Sequence, residues 1–272
     1  MVKMGTIWER TTEVLSGRAG MLFGIAALTL VLPAVVRLLV AMTLPTTTPL
    51  GAIVGFVLAL AVGLISLWGQ LTIIAASSDP SIDAPAGYRL AAARLPTALG
   101  VTILLSIAAF VLMIPLIVAL VAAHVDVTTL NNATQISNVP PGIATFASLY
   151  IIVLLIVFLT AAARLTVLNP VVLHERLGLG AIKRSWQLTR GLMWRILGVL
   201  VLFIVVAAIA GMALQLVVGT LTALAFGRDA VATVLLVTSI ASSLLSAVFT
   251  VIALAFTAQL YVALAGPPQR RP

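Results

Sequence analysis

Residues 165–198 read LTVLNPVVLHERLGLGAIKRSWQLTRGLMWRILG and join two long apolar runs. Six of the chain's 15 Lys and Arg residues lie in this stretch or directly before it. They are Arg164, Arg176, Lys183, Arg184, Arg190 and Arg195. A basic segment between apolar runs is typical of a connection that borders a membrane, because basic residues are retained on one side of it. The stretch therefore predicts a membrane fold and gives it a direction.

The composition agrees with a membrane protein. Of the 272 residues, 62% are hydrophobic and only 8% are charged, whereas soluble domains carry about 25% charged residues. A run of about 20 apolar residues can cross a bilayer as a helix. Six runs reach that length, so the sequence predicts an all-α, polytopic membrane protein with a single integral membrane domain over residues 1–272. The runs cover residues 19–42, 50–76, 96–122, 142–168, 193–225 and 231–265.

Short amphipathic helices are predicted before the first, third and fifth spans. These segments are residues 6–16, 84–94 and 179–193. The first begins with Thr6 and Glu9, whose spacing fits a capping box. Pro33 and Pro115 lie inside the first and third spans and are expected to kink them. Asn169-Pro170 is expected to end or bend the fourth.

The chain is predicted to contain three copies of one unit, each made of an amphipathic helix and two spans. The units cover about residues 5–76, 81–172 and 178–265. Gly17 and Gly24 have the same spacing as Gly191 and Gly198. Because each unit contains two spans, all three have the same direction. This differs from the inverted repeats of many secondary transporters.

Lys and Arg are distributed unequally between the two sides of the predicted domain. Thirteen fall on the side of the two termini, and only Arg228 falls on the other, with Arg37 inside the first span. Because basic residues are retained in the cytoplasm, both termini are predicted to be cytoplasmic. The net charge of +8 does not indicate nucleic-acid binding, since the basic residues are divided among short segments. Residues 266–272 are expected to form a disordered tail.

The third amphipathic segment has an apolar side and a basic side. The apolar side carries Leu179, Ile182, Trp186 and Met193, and the basic side carries Lys183, Arg184, Gln187 and Arg190. Such a helix suits the interface of an anionic leaflet, where each nearby basic residue contributes about 1 kcal/mol of attraction. The predicted headgroup contacts are Lys183, Arg184, Arg190 and Arg195, with Trp186 as the interface anchor. The alternative is that these charges only orient the chain.

Hydroxyl side chains follow one stripe of the sixth span at helical spacing. They are Ser239, Ser243, Ser246, Thr250 and Thr257. Hydroxyls inside a bilayer prefer to face other helices, where they form hydrogen bonds, so one interpretation is a packing seam. The other is a polar path in a transporter, lined by this stripe and Arg37. The near absence of carboxylates within the spans disfavours coupling to protons.

The sequence offers little for a catalytic or metal site. It has no cysteine, and a metal site usually needs three or four ligands, so no cofactor or metal is expected. His174-Glu175 is an adjacent acid–base pair, and Ser185 with His174 would be the candidates in a hydrolase. In the simpler interpretation, Glu175 pairs at the surface with Arg176 or Lys183. His174 then caps the end of the fourth span.

One part of the chain resembles a known family. Asn169-Pro170 and His174-Glu175 precede the run GLGAIKRSWQLTRG at residues 178–191. This pattern resembles the membrane domain of glycerophosphoryl diester phosphodiesterases and the related YciC-like inner-membrane proteins of bacteria. The resemblance implies a protein of the bacterial cytoplasmic membrane. It does not imply phosphodiesterase activity, because catalysis in the fused members belongs to a separate soluble domain.

These observations favour a non-enzymatic inner-membrane protein that interacts with lipids or acts as a scaffold in envelope maintenance. A transporter or permease for a lipid-like or small solute is the main alternative, and a membrane-embedded enzyme acting on lipid phosphates is the third. The expected partners are anionic membrane lipids and not nucleic acid. Membrane protein partners are compatible with the sequence, which identifies none, and the oligomeric state stays open.

Overall fold

The computed structural model describes residues 4–44, 48–122, 140–227 and 230–266. Within those ranges all regular secondary structure is helical. The elements are α1 Met4–Ala26, a π-helical segment Ala27–Val31, α2 Leu32–Thr43, α3 Pro49–Ser78, α4 Ala84–Ala122, α5 Pro141–Leu165, α6 Leu168–Glu175, α7 Gly180–Leu188, α8 Met193–Phe226 and α9 Val231–Ala265. Apart from Gly266, the predicted tail lies outside the described residues.

Six parts of the described chain are long and apolar enough to cross a membrane, which confirms the predicted all-α, multi-pass fold. They are Met4–Thr43, Pro49–Ser78, Ala84–Ala122, Pro141–Glu175, Met193–Phe226 and Val231–Ala265. Large side chains in the middle of these helices, such as Phe56, Ile107 and Leu216, are more than half exposed. In water such a surface would be unstable, whereas in a bilayer hydrocarbon covers it.

The best-packed part of the bundle lies at one end, where α9 contacts α1, α3 and α6. Buried side chains there include Leu22, Ile73, Val171 and Leu260. Helices α1, α4 and α8 begin at this end, and α3, α5 and α9 finish there. Since the described Lys and Arg residues other than Arg37 also lie there, it is named the basic end below.

Helix α1 combines the first predicted amphipathic helix with the first span. Its backbone leaves helical geometry at Arg18, with φ of −132° and ψ of 16°, so the two predicted parts meet at a kink. The predicted capping box is wrong, because the helix begins at Met4 and Thr6 already lies within its first turn. Ile7 and Thr11 are buried, and the Trp8 ring centroid lies 6.4 Å from that of Phe256. The amphipathic part therefore packs on α9.

The Arg18 side chain explains the position of the kink. Its Nη1 donates to the carbonyl oxygen of Ala76 at 2.7 Å and to that of Asp79 at 3.4 Å, and its Nη2 donates to the carbonyl oxygen of Pro80. These carbonyls belong to the last turn of α3 and the residues after it, where the helical ladder ends. The Asp79 carbonyl also accepts from the backbone N–H of Ile82 at 3.1 Å. A guanidinium also complements the negative end of a helix. Arg18 therefore joins α1 to the end of α3.

The bend expected near Pro33 takes the form of a π-helical turn. Within it the backbone N–H of Leu32 donates to the carbonyl oxygen of Ala27, five residues earlier. Proline has no N–H to donate to the carbonyl four residues before it, and the wider turn accommodates this loss. π-helical turns inside α-helices are frequent at functional sites.

The prediction of a separate amphipathic helix before the third span is wrong, because α4 continues from Ala84 through Pro96 and Pro115 to Ala122. The predicted repeat suggests why. Aligning Gly100 with Gly198 sets Ala93 opposite Gly191, and Gly191 has a φ of 87° in the turn before α8. Alanine disfavours that conformation, so α4 lacks a glycine turn at this position and continues as one helix. The repeat itself stays a prediction.

The bend expected at Asn169-Pro170 lies a few residues earlier, inside the fourth membrane-spanning part, Pro141–Glu175. Helix α5 finishes at Leu165, and Pro170 lies in the first turn of the short helix α6. Pro170 cannot donate to the carbonyl of Thr166, so the helical ladder stops one turn before the proline. In the first turn of the next helix its missing N–H costs little.

We expect Arg18→Leu to lower the midpoint of thermal unfolding in detergent, because three carbonyls lose a charged donor. Hydrogen bonds to charged groups contribute about 1.5–3 kcal/mol each. Arg10→Leu is the matched control, since Arg10 is exposed on the same helix. Equal midpoints for the two variants would show that Arg18 does not hold α3.

We expect Gly69→Ala to destabilise the bundle, because a Cβ at Gly69 would overlap the Oγ1 and Cβ atoms of Thr29 in the π-helical segment. Overpacking of this kind costs about 1–3 kcal/mol. Gly63→Ala in the same helix meets open space and should leave the midpoint of thermal unfolding unchanged. A similar midpoint for both variants would contradict the close approach at Gly69.

Candidate functional site

Helix α7 is fixed to the end of α5 through its hydroxyl residues. The Oγ of Ser185 donates to the carbonyl oxygen of Arg164 at 2.8 Å, and the Oγ1 of Thr189 lies 3.3 Å from the same oxygen. Ala181, Ser185 and Thr189 are completely buried. A free carbonyl at the end of α5 is therefore satisfied by the next helix but one.

This packing corrects the predicted faces of the segment. Ile182 and Met193 are partly buried against the core, as expected of an apolar side. Leu179 and Trp186, which were predicted to lie with them, are 63% and 47% exposed. The buried face is centred on Ser185 instead, because its hydroxyl satisfies a carbonyl that no apolar side chain could satisfy.

The basic residues of the segment differ in their surroundings. Lys183, Arg190 and Arg195 have exposed side chains. Lys183 and Arg190 lie about one helical turn before and after Trp186, whose ring is exposed. All three residues precede α8, which is a membrane-spanning helix. Lys183, Arg190, Arg195 and Trp186 together form the α7 surface.

Arg184 forms an ion pair within the protein. Its Nε donates to Oε2 of Glu175 at 2.9 Å, and the two side chains are 40% and 22% exposed. The hydroxyl of Tyr261 donates to the other carboxylate oxygen of Glu175 at 3.3 Å. The predicted pairing of Glu175 with Arg176 or Lys183 is therefore wrong. The Arg184 charge is therefore used to hold α7 on α6, and Glu175 offsets it.

Arg164 is a member of the site that sequence reasoning counted only as a topology marker. Its guanidinium carbon lies 5.2 Å from the ring centroid of Trp186, a cation–π geometry. Its Nε and Nη1 are shielded and have no hydrogen-bond partner among the described residues. The spacing of the residues in the sequence could not predict this contact. Arg164 lies in α5 and Trp186 in α7, and α6 with a turn on each side separates the two helices.

His174 does not cap the fourth span. Its ring stacks on that of Tyr261, with centroids 5.5 Å apart and planes 12° apart. Its Nε2 is buried without a partner in the described parts of the chain, while the hydroxyl of Ser185 is bonded to Arg164. The structure thus shows no hydrogen bond between the two candidate hydrolase residues. Over those same residues no group of three or more His, Asp or Glu side chains could hold a metal ion.

A polar groove lies elsewhere, between α2, α3 and α9. Its volume is about 360 Å³, and its lining comprises Leu30, Ala34, Ser66, Gln70, Ser242, Ser243, Ser246, Ala247 and Thr250. Ser243, Ser246 and Thr250 of the predicted stripe contribute, whereas Ser239 and Arg37 are not among the lining residues. Sequence analysis missed Ser66 and Gln70, which stand alone as polar residues in an apolar run.

The fold and these surfaces define a helical, multi-pass membrane protein with a basic, Trp-bearing surface at one end of the bundle. A family model described as a domain of unknown function, DUF7847, matches residues 9–264, so the chain belongs to that family. No curated protein and no solved structure matches the chain. The resemblance to the phosphodiesterase membrane domain stays a prediction.

We expect a double-mutant cycle of Arg184→Gln and Glu175→Gln to give a coupling energy of about 0.5–1 kcal/mol, because water screens a partly exposed pair. The measurement is the thermal stability of the parent, the single variants and the double variant in detergent. A cycle of Lys183→Gln with Glu175→Gln should show no coupling. Coupling in that second cycle would mean that Glu175 belongs to Lys183.

Proposed function

We propose that this protein is a non-enzymatic, lipid-interacting protein of the bacterial cytoplasmic membrane, whose α7 surface binds anionic headgroups. The observation that carries the proposal is the fixed orientation of α7. Because Ser185 and Thr189 hold one face of the helix against α5, Lys183 and Trp186 are presented on the outside. A scaffolding role would use the same bound lipid.

The charges at the basic end support an anionic ligand. Glu175 offsets Arg184, but Lys183 and Arg190 are exposed and have no acidic partner among the residues that the structure describes. Each Lys or Arg near an anionic leaflet contributes about 1 kcal/mol of attraction. Arg164, whose guanidinium lies beside the Trp186 ring near the end of α5, adds a further positive charge close to this surface.

The proposed orientation follows from the same residues. The basic end would face the cytoplasm, since Lys and Arg are retained there, and both termini would lie on that side. Anionic lipid is a component of that leaflet. Trp186 and Trp194, which are 47% and 79% exposed, are of the type that anchors helices at the membrane–water interface.

The test is lipid binding to the purified protein in a neutral detergent, titrated with phosphatidylglycerol and followed by native mass spectrometry. We expect Lys183→Gln with Arg190→Gln to weaken binding about 30-fold, which corresponds to about 2 kcal/mol. Phosphatidylcholine should bind the parent and the variant alike.

The matched control is Arg10→Gln with Arg89→Gln, which removes the same charge from exposed positions on α1 and α4. It should retain the phosphatidylglycerol affinity of the parent. If both double variants lose affinity equally, the attraction is a general effect of net charge. If neither loses affinity, the α7 surface does not bind lipid, and its charges serve only to orient the chain.

A further inference from the structure

The groove between α2, α3 and α9 is polar although its lining residues belong to membrane-spanning parts of the chain. Ser246 is about 15 residues from the start of α9, which places it about 22 Å along the helix at 1.5 Å per residue. Gln70 is about nine residues before Asp79, the C-cap of α3, or about 13 Å from it. Both positions fall within the hydrocarbon region, where polar groups need partners.

Several polar groups of the groove have no protein partner. Two hydroxyls donate within their own helix: Ser243 to the carbonyl oxygen of Ser239, and Thr250 to the carbonyl oxygen of Ser246. The side chains of Ser66, Gln70, Ser242 and Ser246 form no hydrogen bond with the described residues, and Ser246 is exposed. An amide offers two donors and an acceptor, and a hydroxyl offers one donor and two acceptors. Such groups are costly in hydrocarbon unless a ligand satisfies them.

The groove favours a small group over a partner helix. Its polar residues on α9 extend from Ser242 to Thr250, about 12 Å along the axis. Those on α3 are Ser66 and Gln70, one turn apart. A packed transmembrane helix would contact a surface two or three times longer. The volume of about 360 Å³ falls within the range of small-molecule sites, about 300–1,000 Å³.

The lining also determines the charge of the ligand. None of the nine lining residues is charged, so an anion such as a phosphate would be left without a counter-ion in the hydrocarbon region. A neutral group with hydroxyls can both donate and accept, which matches an amide surrounded by serines. The wall opposite α3 and α9 includes Leu30. Leu30 belongs to the π-helical segment, whose irregular backbone shapes this wall.

We infer that this groove binds a neutral, glycerol-like polyol, either as the headgroup of an uncharged lipid such as diacylglycerol or as a free molecule. Gln70 and Ser246 supply hydrogen bonds from opposite walls, and Leu30 and Ala247 contact its carbon atoms. The groove shares no residue with the α7 surface, so the failure of one assignment leaves the other intact.

The test is photolabelling of the protein in nanodiscs with a diacylglycerol that carries a diazirine next to its free hydroxyl. Peptide mass spectrometry of the parent should locate the label within residues 66–70 and 242–250. We expect Gln70→Leu with Ser246→Ala to reduce labelling about tenfold, since about two hydrogen bonds are lost. Gln215→Leu with Ser148→Ala is the matched control, because both residues are exposed on other helices, and it should be labelled like the parent.

A second arm distinguishes the two sources of the ligand. An excess of free glycerol that suppresses the label indicates a free polyol, whereas a label resistant to glycerol indicates a lipid headgroup. Label found only outside the groove in the parent would overturn the inference, as would equal labelling of the two double variants. The chain has no cysteine, so Ser246→Cys introduces a single thiol. A disulfide-linked dimer formed through it in the bilayer would show that a second copy fills the groove.

Discussion

The fold depends on satisfying the carbonyls at helix ends that lie close to hydrocarbon. A carbonyl in the last turn of a helix has no helical donor, so a side chain can supply the hydrogen bond and join another helix to that end. Arg18 donates to three carbonyls around the end of α3, and the backbone of α1 leaves helical geometry at this residue. The Nε2 of Gln259 donates to the carbonyl of Ser77 at 2.6 Å, so α9 is joined to the same helix end. Three helices are thereby fixed relative to one another.

The same requirement determines which residues face outward at the basic end. The hydroxyls of Ser185 and Thr189 form hydrogen bonds with the carbonyl oxygen of Arg164. These bonds fix the rotation of α7 about its axis. Arg184 then reaches Glu175, whereas Lys183 and Trp186 are exposed. The proposed headgroup surface is therefore a consequence of helix capping. A helix free to rotate would bury Trp186 and Leu179 and present a different set of charges.

The span positions could be predicted from the sequence because a bilayer demands a minimum apolar length. Contacts between spans could not, since lipid and protein are both apolar and a hydrophobic pattern does not distinguish the two environments. Ser185 illustrates the limit: it directly follows Lys183 and Arg184 in the sequence, yet it is completely buried. Gln70 illustrates another, because one polar residue in an apolar run gives no pattern, and its meaning comes from Ser242 and Ser246 across the groove.

The two proposed binding surfaces differ in chemistry because they lie at different depths. Charge is tolerated at the basic end, where guanidinium and ammonium groups reach water or phosphate, and an ion in the bilayer centre is costly. Amide and hydroxyl groups are cheaper to bury, provided that they are paired. The close contact between Gly69 and Thr29 brings the π-helical segment against α3, one residue before Gln70. Leu30 and Gln70, which directly follow Thr29 and Gly69 in the sequence, both line the groove, so this contact fixes two of its walls relative to each other.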